Sequence, residues 1–304
     1  MMKAILTAAF ALLLTCAGAQ AQNCGPLPNQ LTNGTTADAN QVMANFNSLL
    51  TCINNVQNNL QNNLQGYLGG LTLSNDAGTP TTTIDMTAGV AMSDDVTTLM
   101  KTVAFIKNAN SAWSAGSGNG CLDTGTALSA STWYHMFVIE RTDTGVVDFL
   151  CSTSATNPVF PTNYSKKRRI GSIRTDASSH ILAFSQNGDE FIWLTPVGDA
   201  NVTNFPIAGL LITLTVPVGV RVNALFRASV GQGAGVLITS PDENPQTYNA
   251  PLGNVNTNGG GSEGITLNVR TNAGAQVRAI PSASSGSLLQ LATYGWIDTR
   301  GRFN

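Results

Sequence analysis

The amino-acid sequence predicts a mostly β protein that begins with one coiled-coil helix, and three observations support this fold class. Between residues 35 and 66, apolar side chains recur every three or four positions. From Leu71 onward the period changes to two, and turn residues separate short alternating runs. Charged residues make up 11 % of the chain, and Gly, Asn, Thr and Ser take their place. We therefore expect a coiled-coil stalk, an intermediate β domain and a C-terminal, jelly-roll-like β-sandwich.

Residues 1–21 have the pattern of a secretory signal peptide. A positive charge precedes an apolar run at residues 4–15, and small residues then offer cleavage before Gln20 or Gln22. Lipid modification at Cys16 is the alternative. The apolar run is too short for a permanent anchor, and no other segment is apolar enough to cross a bilayer. The sequence thus predicts export without a transmembrane segment, to the medium, the periplasm or the cell surface.

A lead-in rich in Pro, Asn and Gly occupies residues 22–34, and the predicted stalk follows at residues 35–66. Thr35 is the predicted helix N-cap, and Gly66 ends the helix. The predicted seam is the apolar stripe formed by Val42, Phe46, Leu49, Ile53, Val56 and Leu60. Asn and Gln on the flanks provide no ion pairs, so partner helices must bury this stripe. These residues do not fix the number of helices, and packing of one helix on its own domain is the alternative.

The β-rich remainder is predicted to form two domains. The intermediate β domain covers residues 71–195 and contains a hairpin, in which Trp133–Glu140 and Val146–Ser152 flank a Thr-Asp-Thr-Gly turn. Residues 196–206 are predicted to be a linker. Regularly spaced strands at residues 207–304 then predict the sandwich, which forms the tip.

Four cysteines remain after the signal peptide, namely Cys24, Cys52, Cys121 and Cys151. Their spacings match no metal motif, and an even set in an exported protein is typical of disulfides. Four cysteines allow three connectivities. We favour Cys121–Cys151 within one domain. Cys52 occupies a coiled-coil g position, where a bond between neighbouring chains is a further option.

The sequence predicts no catalytic residues, no cofactor and no metal site. His135 and His180 are the two histidines, which excludes a His-rich metal site and leaves little material for a Ser-His-Asp triad. A glycosidase would need a pair of carboxylates. The candidates Asp94-Asp95, Asp189-Glu190 and Asp242-Glu243 all lie in apparent turns, where acidic residues have a local structural role.

Binding is the remaining class of function. The net charge of −2 argues against a nucleic-acid partner, which would require a basic face. The basic cluster formed by residues 166–169 and Arg174 is interpreted as the solvated face of a strand. Binding of an acidic polymer is the alternative. Aromatic side chains can stack on sugar rings, and among them we select Tyr248 and Trp296 as candidate ligand contacts. The loops between residues 240 and 264 are the longest candidates for a binding surface.

Several blocks of the sequence resemble bacteriophage tail-fibre proteins. They are Leu31–Leu50, residues 131–158 with the hairpin, residues 167–191, and the ending YGWIDTRGRF at residues 294–303. The resemblance implies a homotrimer with a coiled-coil stalk, an intermediate β domain and a β-sandwich tip that contacts a host surface, often a glycan. The trimeric state is an implication of the resemblance alone.

The predicted signal peptide departs from phage fibres, which assemble in the cytoplasm of the producing cell. It places the chain nearer to the exported mosaic adhesive trimers of predatory bacteria. We therefore expect a homotrimeric adhesin that binds a cell-surface glycan or another surface receptor. The alternatives are a prophage tail fibre located in the virion and an enzyme that degrades surface polysaccharide.

Overall fold

The structure, a computed structural model, describes residues 24–36, 38–231, 233–249, 255 and 263–302, without the side chains of residues 60–62. The predicted signal peptide and Cys16 lie outside this part of the chain. The described residues form one α-helix and eighteen β-strands, which confirms the mostly β class. The chain divides into a helical unit at residues 1–63 and a β unit at residues 64–304.

The helical unit contains the helix α1, Ala39–Asn63. Asp38 is the N-cap, because its Oδ1 accepts a hydrogen bond of 2.8 Å from the backbone N–H of Asn40. The helix is thus shorter at both ends than the predicted residues 35–66, and its cap is Asp38 instead of Thr35.

The lead-in packs along one face of α1. Cys24 and Cys52 form a disulfide within the chain, with Cα atoms 5.6 Å apart. Asn29 and Asn45 exchange two hydrogen bonds, from the Asn29 N–H to Asn45 Oδ1 at 2.9 Å and from Asn45 Nδ2 to the Asn29 carbonyl at 2.8 Å. Cys52 is therefore occupied by a partner in its own chain instead of a neighbouring chain.

The first part of the β unit contains a seven-stranded sheet with the order β10-β8-β9-β7-β6-β3-β2 and a three-stranded sheet with the order β1-β4-β5. The strands are β1 Leu68–Gly70, β2 Leu73–Asn75, β3 Thr83–Met86, β4 Gly89–Met92, β5 Leu99–Thr102, β6 Phe105–Ala112, β7 Gly120–Leu122, β8 Trp133–Arg141, β9 Val147–Ser152 and β10 Tyr164–Arg174. The antiparallel pairing of β8 with β9 confirms the predicted hairpin.

The short strand β7 lies between β6 and β9 and runs parallel to both. Cys121 on β7 is bonded to Cys151 on β9, which is the pairing that the sequence analysis favours. Both cysteines are fully buried. The bond therefore joins two strands of one sheet across a 30-residue separation in sequence.

The second part of the β unit contains a five-stranded sheet with the order β11-β12-β18-β14-β16 and a three-stranded sheet with the order β13-β17-β15. Its strands are β11 Phe184–Asn187, β12 Glu190–Thr203, β13 Leu210–Thr213, β14 Asn223–Gly231, β15 Val236–Thr239, β16 Glu263–Arg270, β17 Gln276–Pro281 and β18 Leu288–Ile297. From β12 to β18, successive strands alternate between the two sheets. Their buried side chains belong to one core, including Phe226, Leu291, Val277 and Ile238.

The predicted linker at residues 196–206 is wrong for residues 196–203, which belong to β12. Pro196 and Gly198 suggested a break in the chain, but β12 pairs with β18 on both sides of them. The register shifts between Ile192 and Val197, and this irregularity accommodates a proline that cannot donate to the ladder. Strand β12 therefore continues where a linker was predicted, and residues 64–304 form one compact unit instead of two separated domains.

Candidate functional site

The outer face of the five-stranded sheet carries a groove of about 510 Å³. The strand registers align Gly198 on β12 and Ala292 on β18 with Arg227 on β14. Thr266 on β16 lies opposite Arg227 and completes this row across four strands. Because Gly198 and Ala292 are small, the long side chain of Arg227 has open space beside it. The volume lies within the range of ordinary small-ligand pockets.

The polar groups of the groove can recognise a neutral or acidic ligand. The guanidinium of Arg227 lies 5.3 Å from the ring centroid of Tyr294, an arrangement that orients the arginine. Ser229 and Gln290 face each other in the next row and add a hydroxyl and an amide. These groups can donate to and accept from sugar hydroxyls. Among the described residues that line the groove, none carries a carboxylate.

The sequence contains a signal for Arg227, which was not among the predicted site residues. Ala224, Phe226, Ala228 and Val230 are buried on β14, so the alternating residues Arg227 and Ser229 point to the other face. The small residues across from Arg227 come from distant strands, and the strand order that joins them cannot be read from the sequence.

Trp296 cannot contact an external ligand in this structure, so this part of the predicted site is wrong. Its side chain is 0 % exposed and stacks on Phe191, with ring centroids 4.9 Å apart. The register of β18 against β14 shifts between Thr293 and Gly295, which leaves Tyr294 as an extra residue. This bulge reverses the alternation and turns Trp296 into the core. Tyr248 is half-buried in the segment after β15, and its role remains a prediction.

The basic cluster at residues 166–169 is divided between the surface and the core. Lys166 and Lys167 are partly exposed and form ion pairs of 2.5 Å with Asp95 and Asp94. Arg168 and Arg169 are buried, so the predicted solvated strand face is wrong for these two residues. The C-terminal segment after β18 supplies the missing partner of Arg169. Two hydrogen bonds of 2.7 Å join its guanidinium to the carboxylate of Asp298.

The pKa values of this buried network follow from the pair of Arg169 and Asp298. Burial alone would raise the pKa of Asp298, but the charge and hydrogen bonds of Arg169 outweigh it and hold that pKa below its usual value. Arg169 also donates to Ser172 Oγ at 3.2 Å. The network is thus a structural ion pair between β10 and the C-terminal segment.

His135 is fully buried and belongs to the same network, so its role is structural. Its Nδ1 lies 2.9 Å from Ser172 Oγ, and its Nε2 is buried without a hydrogen-bond partner among the described residues. Burial, together with the positive charge of Arg169, lowers the pKa of His135 to about 3. The imidazole is therefore neutral at neutral pH.

The predicted acidic pairs each contain an aspartate that forms an ion pair. Asp94 contacts Lys167 as described, Asp189 contacts Arg300 at 2.9 Å, and Asp242 contacts Arg221 at 2.8 Å. These contacts give the three aspartates a structural role in the turns where the sequence places them.

A second buried ion pair, which the sequence analysis did not single out, lies beneath the Gly-rich loop at residues 116–120. Lys107 Nζ lies 2.7 Å from Asp148 Oδ1, and both side chains are almost fully buried. Lys107 also donates to the carbonyl of Ser114 at 2.8 Å, and Asp148 Oδ2 accepts from the Gly116 N–H at 2.7 Å. The pair fixes this loop against the seven-stranded sheet.

A comparison with protein-family models finds no match, and a comparison with curated proteins finds none either. The resemblance to phage tail fibres therefore stays a prediction. No helix among the described residues is long and apolar enough to cross a membrane.

Proposed function

We propose that this protein is an exported homotrimeric, fibre-like adhesin that binds a cell-surface glycan or another surface receptor through its C-terminal β-sandwich. The observation that carries the proposal is the apolar stripe on α1, which is open to solvent in the single chain. Phe46 is 61 % exposed and Ile53 is 57 % exposed, and Leu49 and Val56 are exposed beside them. A helix of 25 residues with such a stripe gains stability by association.

The energetic argument for association is the amount of apolar surface on this stripe. Burying one large apolar side chain contributes roughly 1.5–3 kcal/mol. The described members of the predicted seam are spaced as in a coiled coil, so copies of α1 can bury them together. The choice of three copies rests on the tail-fibre resemblance.

The strand arrangement supports a jelly-roll-like tip. Strands β12, β14, β16 and β18 lie in one sheet, and β13, β15 and β17 lie in the other. A jelly roll likewise divides its strands between two packed antiparallel sheets. The groove on the outer face of the larger sheet is the proposed glycan site. Its affinity per chain would be modest, and three copies on one stalk would gain by avidity.

Binding of the purified exported protein to a glycan array and to whole cells tests the proposal. The variant Ala292→Phe fills the groove beside Arg227 and should reduce binding about tenfold or more, equivalent to at least about 1.4 kcal/mol. Val103→Phe is the matched control, because Val103 is 72 % exposed and does not line the groove. It should bind like the wild type.

Three results would contradict the proposal. They are absence of glycan and cell binding by the wild type, equal binding by the two variants, and recovery of the protein only in virions. The last result would favour the tail-fibre alternative.

A further inference from the structure

Two adjoining cavities lie where the C-terminal segment meets β10, away from the groove described above. The smaller has a volume of about 230 Å³ and the larger about 510 Å³. Both are lined by Thr156, Arg169, Val220 and Gly301, so they share a wall. We call them together the arginine cleft.

Positive charge exceeds negative charge around the arginine cleft. Its lining cations are Lys167, Arg168, Arg169, Arg221, Arg270 and Arg300, and its lining acids are Asp94 and Asp298. Asp298 is engaged by Arg169, and Asp94 by Lys167. Asp189 and Asp242 pair with cations of the cleft from outside its lining. Even with these two carboxylates, the cations outnumber the acids among the residues that the structure describes.

Among the buried cations of the cleft, Arg168 has the weakest set of partners. Its guanidinium is 3.7 Å from Asp94 and donates one hydrogen bond of 3.4 Å to the Gly66 carbonyl, although its side chain is only 6 % exposed. Burial lowers the pKa of Arg168, and repulsion from Arg169 and Arg300 lowers it further. A buried cation in this situation is costly unless an anion compensates it.

Two guanidinium nitrogen atoms at the cleft have no acceptor. Arg168 Nε and Arg300 Nη1 are both buried without a hydrogen-bond partner among the described residues. Buried donors are normally satisfied, so such a pair requires an explanation. Guanidinium groups bind carboxylate, sulfate and phosphate groups through paired hydrogen bonds, and an anion of this type would supply the missing acceptors.

We propose that the arginine cleft binds an acidic saccharide, with its carboxylate or sulfate group in the smaller cavity near Arg168 and Arg300. The larger cavity has the volume of a small-ligand site and is lined by the apolar Val220 and Ile297 together with the polar Asn223. This combination suits a sugar ring. The choice of a saccharide, as opposed to a free anion, rests on the proposed adhesin function.

The test is the thermal stability of the full exported protein, with its disulfides formed, in the presence of four probes. Sodium glucuronate, sodium sulfate, glucose and sodium chloride are compared at one ionic strength. A ligand that binds the folded state raises the Tm in proportion to the logarithm of its concentration. We expect glucuronate to raise the Tm and sulfate to raise it less. Glucose should leave it at the chloride value.

Arg168→Met removes the least compensated buried cation, and Arg141→Met is the matched control at an exposed ion pair outside the cleft. We expect Arg168→Met to bind glucuronate at least about tenfold more weakly, because it loses a charge-assisted hydrogen bond to the ligand. Its Tm in chloride should equal or exceed that of the wild type, because a buried positive charge is removed. Arg141→Met should respond to glucuronate like the wild type.

Asp94→Asn tests the charge balance of the cleft with a second variant, so the test does not depend on whether Arg168→Met folds. It removes a competing carboxylate from the cleft and should tighten glucuronate binding. Weaker binding by Asp94→Asn, no effect of glucuronate on the wild type, or an equal response in Arg168→Met would overturn the proposal. A response to sulfate without a response to glucuronate would overturn the saccharide as ligand. Glucuronate binding without cell adhesion would reject the adhesin function and leave the anion site intact.

Discussion

The helical unit and the β unit differ in where their apolar side chains lie. In the β unit, Trp296, Phe191 and Phe226 are fully buried in one core. On α1, Phe46 and Ile53 are more exposed than buried. The β unit therefore contains the partners of its own apolar residues, whereas the helix lacks partners for its stripe within the described chain. Internal packing thus stabilises the β unit, and our proposal is that association stabilises the helical unit.

The disulfides show the same contrast. The Cys121–Cys151 bond lies inside a packed sheet, whereas the Cys24–Cys52 bond ties an irregular lead-in to a single helix. The lead-in covers one face of α1 through Asn29 and Asn45, yet Phe46 and Ile53 stay exposed. The face that remains open is the one with coiled-coil spacing.

The largest expected effect is the loss of an aromatic side chain from the core. Trp296→Ala should lower the free energy of unfolding of the β unit by about 3–5 kcal/mol, because it leaves a cavity beside Phe191 and Trp193. Phe46→Ala on α1 should change that transition by less than about 0.5 kcal/mol. Denaturant unfolding measures the free energy of unfolding of both variants. Circular dichroism follows the transition of both, and tryptophan fluorescence also follows that of Phe46→Ala. Similar losses in the two variants would remove the distinction between the units.

Loss of a buried ion pair in the β unit should destabilise it about as much as Trp296→Ala, whereas loss of an exposed ion pair should have a small effect. Lys107→Met leaves Asp148 as an uncompensated buried carboxylate and should destabilise by about 3–5 kcal/mol. The matched Arg141→Met breaks an exposed ion pair with Asp143 and should cost less than about 1 kcal/mol. Urea unfolding at neutral pH measures both. Addition of Asp148→Asn to Lys107→Met should recover part of the loss, and failure to do so would argue against an electrostatic cause.

Acidification tests the buried network around His135. Burial lowers the native pKa of His135 to about 3, whereas the unfolded value is near 6.5. Between these values the unfolded state binds a proton that the native state does not, so stability is present above pH 6.5 and is lost as the pH falls. The loss from this residue should reach about 3 kcal/mol at pH 4.

Unfolding of His135→Phe over pH 4–7 checks this expectation. The variant should show a smaller loss of stability on acidification than the wild type. His180→Gln, at the exposed histidine, is the control and should keep the slope of the wild type. Parallel profiles for wild type and His135→Phe would contradict the assignment.

The smallest effect on the β unit is expected from a change in the helix stripe. Ile53→Asp places a charge on the proposed contact surface and should abolish association, because buried unpaired charge is strongly unfavourable. Gln57→Asp introduces the same charge at an exposed position outside the stripe and should leave association intact. Light scattering reports the association state. Unfolding of the β unit should be unchanged in both variants.

The sequence predicted the features that depend on local pattern. The β8–β9 hairpin followed from alternation and its turn, and the stripe on α1 followed from spacing. The predictions failed where a bulge or a partner distant in the sequence determines the course of a strand or the direction of a side chain. Pro196 lies at a register shift, and the extra residue Tyr294 turns Trp296 inward. Pro196 marks an irregularity but does not distinguish a bulge within a strand from a break in the chain, and the bulge at Tyr294 has no local sequence signature.

The candidate site was less predictable than the fold. Arg227 could be placed on an outward face from the alternation of β14, but its small neighbours come from β12 and β18. Arg168 and Arg169 resembled surface residues, because their partners, the Gly66 carbonyl and Asp298, lie more than 100 residues away in the sequence. Long-range contacts of this kind require the strand order, which local patterns do not contain.

The most direct test of the account is the solution mass of the protein after removal of the predicted signal peptide, measured by light scattering before and after reduction. The full chain has a mass of 31.7 kDa. We expect about three times the mass of the processed chain in both conditions, because the stripe on α1 holds the copies together and Cys24–Cys52 is formed within one chain. A monomer would contradict the account, and an oligomer that dissociates on reduction would assign the association to cysteines instead of the helix.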